Sequence, residues 1–222
     1  APSTFTRDKH LELGFPVAPQ LLPHFVPEPT FVAEPTNDAG KPLAERPFFF
    51  CAGRLEKLKG VDTLIRAFKR WQAADLVIAG DGAERERLAE LAGGAANIRF
   101  VGRLDPGSLA RYYRDAVALL APSLCFEVFG LTVVEAFACG TPAIVRDRGA
   151  LPELIAESGA GFSYRDDDEL LAAAERLLHE PGLRSRLGER ARAAYLEHWT
   201  LDRHLGRYFG SIEALAGGSG KN

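Results

Sequence analysis

From residue 47 onward, short and mostly uninterrupted apolar runs alternate with stretches of helical period, and this pattern narrows the possible folds more than any other feature of the chain. The runs are Phe48-Phe49-Phe50-Cys51-Ala52, Leu76-Val77-Ile78-Ala79, Ile98-Arg99-Phe100-Val101, 117–121, Ala143-Ile144-Val145 and 161–164. Between them, 60–71 places Leu64, Ile65 and Phe68 on one helical face, and 83–92, 106–115, 131–139 and 151–157 also read as helices. A strand with no polar alternation is buried on both faces, which happens when helices cover a parallel sheet from either side. The pattern predicts an α/β, doubly wound parallel sheet of about six strands. Extra helices succeed it at 167–179, 182–197 and 201–215.

The first 46 residues do not fit this alternation. Phe5 to Leu13 reads as a helix ended by Gly14, and prolines at 16, 19, 23, 27, 29, 35, 42 and 47 interrupt any long element after it. One strand is expected there, over Gln20 to Val26. The chain divides into 1–46 (a remnant and linker), a domain over 47–200, a helix over 201–216 and a flexible tail over 217–222. Net charge is −3 and both signs are spread along the chain, so no basic face for nucleic acid is expected. No window approaches 18 consecutive apolar residues, so no membrane span is expected. Cys51, Cys125 and Cys139 lack C-x-x-C spacing and read as reduced thiols in a cytoplasmic protein. With no methionine and a start at Ala1-Pro2-Ser3, the chain reads as a piece of a longer protein.

Ligands of open parallel sheets bind beyond the carboxyl ends of the strands. There the chain offers Gly53-Arg54 with Lys57 and Lys59, then Gly80-Asp81-Gly82, Gly102-Arg103, Pro122-Ser123 with Glu127, and Arg146-Asp147-Arg148-Gly149. The helix opening at Gly130 is apolar nearly all round, so Glu135 within it needs a hydrogen-bond donor from the protein or from a ligand hydroxyl. The N–H groups of Gly130, Leu131 and Thr132 open that helix and suit a phosphate. With Glu127 on one side and Glu135 on the other, the cradle suits a ligand that is part phosphate and part sugar.

Several motifs, in this order, resemble one family. They are Gly53-Arg54-Leu55 with Lys59-Gly60, Ala79-Gly80-Asp81-Gly82, Phe100-Val101-Gly102-Arg103 and Pro122-Ser123. Glu127-Val128-Phe129-Gly130-Leu131 comes next, then Glu135-Ala136-Phe137-Ala138 and Gly140-Thr141-Pro142, with seven residues between the two glutamates. The sequence resembles the retaining glycosyltransferases of family 4, whose GT-B fold sets two Rossmann-like domains face to face. The likeness covers about 47–200, their C-terminal, nucleotide-sugar-binding domain. It implies that an N-terminal acceptor-binding domain lies outside this chain, and that 201–216 crosses over toward it.

The resemblance also implies roles. Arg54 and Lys59 bind the diphosphate, with Gly53, Gly80 and Gly82 close by. Arg103 and Leu104 lie at the nucleobase. Glu127 contacts the donor sugar, Phe129, Gly130, Leu131 and Thr132 the sugar and phosphates, and Glu135 the ribose. Glu127, Arg54 and Lys59 form the catalytic set, with no metal and no cofactor beyond the nucleoside-diphosphate sugar substrate. Acceptors in the family are lipids or saccharides, often at the inner membrane surface. Asp166-Asp167-Asp168 contains an Asp-x-Asp but opens a helix, where capping accounts for it. The five histidines form no cluster and read as surface or helix-end residues. The alternatives are a non-catalytic nucleotide-sugar-binding module of the same fold, and an interaction domain that binds no nucleotide.

Overall fold

The computed structural model describes residues 1–28 and 43–218. Six strands form one sheet: β1 (Phe48–Ala52), β2 (Asp75–Ala79), β3 (Ile98–Gly102), β4 (Leu119–Ala121), β5 (Ala143–Arg146) and β6 (Gly161–Tyr164). Every neighbouring pair is parallel, in the order β3-β2-β1-β4-β5-β6. This is the doubly wound Rossmann-like sheet that the apolar runs predict. The chain reverses its direction of travel across the sheet between β1 and β4, which opens a crevice at their carboxyl ends.

Alternate strand residues feed two separate cores. Phe48, Phe50, Val77, Leu119 and Val145 face one side, and Phe49, Cys51, Leu76, Ile78 and Ile144 the other. After α1 (Thr4–Glu12), α2 (Val61–Arg70) and α3 (Arg85–Ala92) cover the second side, through Leu64, Ile65, Phe68 and Leu88. On the first side lie α4 (Pro106–Asp115), α5 (Leu131–Ala138) and α6 (Leu151–Ser158). Next, α7 (Asp167–His179) joins the second side, and α8 (Leu183–His198) supplies Tyr195 to the first. The last helix, α9 (Leu201–Gly218), begins just after the fully buried Trp199. Asp105 caps α4 by accepting from the N–H groups of Gly107 and Ser108 at 3.0 and 3.1 Å. Asp166 caps α7 by accepting from Glu169 N–H at 2.9 Å, the capping role expected of that aspartate run.

One expectation needs correction. Gln20 to Val26 is not a strand. Prolines at 19, 23 and 27 withhold the N–H groups a ladder needs. The segment is instead an extended strap. Val26 N–H donates to Trp199 O at 3.1 Å, and Tyr195 Oη donates to Val26 O at 2.8 Å. In α9, Leu201, Leu205, Tyr208, Phe209 and Ile212 are all exposed. The helix touches the strap through His204, whose Nδ1 lies 2.8 Å from Pro23 O and whose ring meets Phe25.

α1 is docked onto the sheet edge that carries the site. Ser3 Oγ and Thr6 Oγ1 both donate to Val128 O, at 2.7 and 3.0 Å, and Glu153 accepts from the opening N–H groups of α1. The first helix thereby braces the loop that presents Glu127. Of the segment expected to be linker, 29–42 lies outside the described residues, as do 219–222 of the tail.

Candidate active site

At the switch point the strand ends enclose two cavities. One, of about 340 Å³, is lined by Gly53, Arg54, Lys59, Ser123, Glu127, Phe129, Gly130, Leu131 and Thr132. The other, of about 580 Å³, is lined by Gly80, Asp81, Gly82, Arg103, Leu104, Tyr113 and Glu135. Ala52, Gly53, Arg54 and Thr132 line both. The loop after β1 and the first turn of α5 therefore form a shared wall, with one glutamate beyond it on either side.

The sequence-predicted site residues all lie on this pair of cavities. Lys59 ends a 3-10 turn over Lys57–Lys59 and reaches across to the loop before α5. Its Nζ is 2.6 Å from Glu127 Oε1, which also accepts from Ser123 Oγ at 2.6 Å. The Cys125 thiol stands 3.8 Å from the same oxygen. Burial alone would raise the Glu127 carboxyl. The bonds from Lys59 and Ser123, with the charge of Lys59, outweigh it and hold the carboxyl below its ordinary value. Glu127 is therefore an ionised acceptor of low basicity. Arg54 is different: its side chain is 72% exposed and pairs with Glu56 at 2.8 Å on the open rim, so its guanidinium has room to swing over the shared wall.

The start of α5 depends on Gly130, which has φ +113°. A Cβ there would come within 2.6 Å of Leu151 Cδ2, so α6 packs directly against the helix start. As the first residues of a helix, Gly130, Leu131 and Thr132 have no acceptor one turn back for their N–H groups. Gly80 is also required to be glycine. Its φ is +127° and a Cβ would meet Gly53 O at 1.8 Å, so the loops after β1 and β2 touch backbone to backbone.

Glu135 has the donor its burial demands. Tyr113 Oη donates to Glu135 Oε2 at 2.8 Å, from α4 across to α5. Burial raises the Glu135 carboxyl and the tyrosine bond opposes that rise. Tyr113 is itself fully buried, and its hydroxyl is held well above the ordinary tyrosine value by burial first and by the Glu135 charge second.

Comparison with known proteins identifies a family. The family described as glycosyl transferases group 1 matches residues 34–194. The chain belongs to that family. Phosphatidyl-myo-inositol mannosyltransferase of Mycolicibacterium smegmatis is 32% identical to this group 1 domain over 186 residues, 80% of the chain and 47% of that relative. Among solved structures, sucrose-phosphate synthase from Thermosynechococcus elongatus superposes with a TM-score of 0.80 at 25% identity, over 96% of the chain and 58% of that structure. Anabaena HepE, solved in complex with UDP and glucose, also gives 0.80, at 16% identity, over 96% of the chain and 62% of that structure. The fold is that of the GT-B glycosyltransferases, and the chain spans less than half the length of the curated relatives it matches.

Three site residues of this group 1 domain escape sequence reasoning. Tyr113 reads as one more core aromatic in its helix. Ser123 sits in a recognised motif, but nothing in the motif reveals its bond to Glu127. His24 is exposed, as expected, and it also lines the smaller cavity, with its ring edge-on to Phe129 at 5.4 Å. Burial, then the charges of His204 and the N-terminus, hold His24 below its ordinary value. No spacing signal links a histidine in a proline-rich strap to a sheet edge.

Proposed function

We propose that this chain is the donor-binding part of a retaining, metal-independent glycosyltransferase that moves a sugar from a nucleoside-diphosphate sugar to a lipid or saccharide acceptor. One observation carries the reading: two cavities share a wall of helix N-terminus and Arg54, with Glu127 beyond one side and Glu135 beyond the other. A nucleotide sugar has the same order of parts. Its ribose meets Glu135 and its base lies by Arg103 and Leu104. Its diphosphate meets Arg54, Lys59 and the N–H groups at Gly130, and its sugar meets Glu127 and Phe129.

In this reading the bond between the sugar's anomeric carbon and the diphosphate breaks, and the electron pair leaves on phosphate oxygen. Arg54, Lys59 and the positive end of α5 stabilise that charge without a metal. The acceptor hydroxyl attacks from the face the diphosphate leaves, and the departing phosphate takes its proton. Glu127 is not the nucleophile. Its low basicity and its bonds to Lys59 and Ser123 suit a carboxylate that accepts from sugar hydroxyls.

The acceptor wall belongs to an N-terminal domain beyond this chain, and the exposed apolar face of α9 is where the two meet. Without that wall, acceptor positioning and water exclusion are lost. Calorimetric titration with UDP, GDP, ADP and their common sugars, with and without chelator, tests the reading. Radiolabelled donors and a broad acceptor mixture complete the test. The expected result is metal-independent binding without transfer. Absence of binding to every nucleotide would leave an interaction domain of the same fold as the better reading.

A further inference from the structure

Glu135 reaches its working state through a second residue. Its Oε2 is occupied by Tyr113 Oη at 2.8 Å, while the carboxyl lines the larger cavity. Tyr113 has little freedom. Its ring meets Phe50 edge-on at 5.3 Å, its own carbonyl accepts from Thr141 Oγ1 at 2.7 Å, and its side chain is wholly buried. We infer that Tyr113 is a positioning residue for nucleotide binding: its hydroxyl fixes one oxygen of Glu135, which leaves the other oxygen to accept the ribose hydroxyl pair. The inference rests on the proposed donor-binding reading and deepens it.

A diol needs an ionised carboxylate, because a protonated carboxyl turns one acceptor into a donor. Burial pushes Glu135 toward the protonated form. Arg54, Asp81 and Arg103 line the same cavity. The thiols of Cys51 and Cys139, whose charge would act on Tyr113, are pushed by burial to about 12 and about 11, so both are neutral in ordinary buffers. Tyr113 donates directly to Glu135, and its own raised value keeps it a donor at any working pH.

The test is UDP and GDP titration of the 222-residue chain across about pH 6 to 9, beside its Tyr113→Phe variant. Phenylalanine keeps the ring packing and deletes only the hydroxyl. The expected result is affinity about tenfold weaker than wild type at neutral pH, the effect of a lost bond to a charged group. That deficit closes as pH rises and Glu135 ionises, and the preference for ribose over 2′-deoxyribose nucleotides takes the same course. In a Glu135→Ala background, which leaves Tyr113 no side-chain oxygen to hold, Tyr113→Phe should change neither affinity nor its pH profile; this pair, with no buried charge to destabilise the fold, is the second arm. A loss that is constant with pH, or one that persists beside Glu135→Ala, assigns Tyr113 a packing role and overturns the inference alone. Failure of the wild-type chain to bind either nucleotide overturns the site reading and the inference with it.

Discussion

The Lys59–Glu127 pair makes a prediction that runs against intuition: Glu127→Gln should leave nucleoside-diphosphate binding intact or improve it. Lys59 Nζ is 2.6 Å from Glu127 Oε1, and the two side chains are 27% and 22% exposed. A charge-assisted bond in that partly buried setting is worth about 1.5–3 kcal/mol. An arriving diphosphate draws Lys59 away from Glu127 and sets a like charge near the carboxylate. Glutamine keeps an oxygen for Ser123 Oγ and a weaker acceptor for Lys59, but removes the charge. Recovery of about 1 kcal/mol at the phosphate corresponds to a gain of roughly fivefold in diphosphate affinity. The donor sugar loses its acceptor of hydroxyl bonds, so a nucleotide sugar should no longer bind better than its diphosphate. Isothermal titration of both ligands against both proteins, at low salt, reads the two effects separately. If diphosphate affinity falls as far in Glu127→Gln as in Lys59→Ala, then Glu127 serves to aim Lys59 at the phosphate, and the division of roles between sugar and phosphate is wrong.

Arg54→Ala should weaken diphosphate binding and flatten its salt dependence while leaving thermal stability unchanged, since the side chain is 72% exposed; a shifted melting temperature would count against a purely ligand-facing role. Gly130→Ala should cost about 1–3 kcal/mol by denaturant titration, because φ is +113° and the added Cβ meets Leu151 at 2.6 Å. His24 is held below its ordinary value of 6.5, so the unfolded chain takes up the proton first. Its contribution is therefore full above about pH 6.5 and is lost as pH falls through the lowered folded value, and His24→Gln should remove that part of the acid slope in melting experiments. An unchanged slope would place the titration elsewhere.

The sheet was legible because burial on both faces leaves a strand no room for polar residues. Phe48-Phe49-Phe50 feeds both cores, and no amphipathic reading of that run is possible. The site was legible where one short segment carries it, as from Glu127 to Glu135, and where an apolar helix with one acid announces a partner. The partner's identity was not. Tyr113 lies 22 residues from Glu135, and Lys59 lies 68 residues from Glu127. Only the packing of α4 on α5, and of the turn after β1 on the loop before α5, brings them together. The strap over 20–26 misled because its apolar residues suggest a strand while its prolines forbid the ladder. It satisfies its backbone against Trp199 and Tyr195 instead, and in doing so carries His24 to the cavity.

A crystal of this chain soaked with UDP-glucose or GDP-mannose tests the central claim most directly. The account predicts one extended ligand across both cavities, with its ribose on Glu135, its diphosphate against Arg54, Lys59 and the N–H groups at Gly130, and its sugar on Glu127. A nucleotide sugar bound the other way round, with its base beside Glu127, or bound through a metal ion, would contradict it.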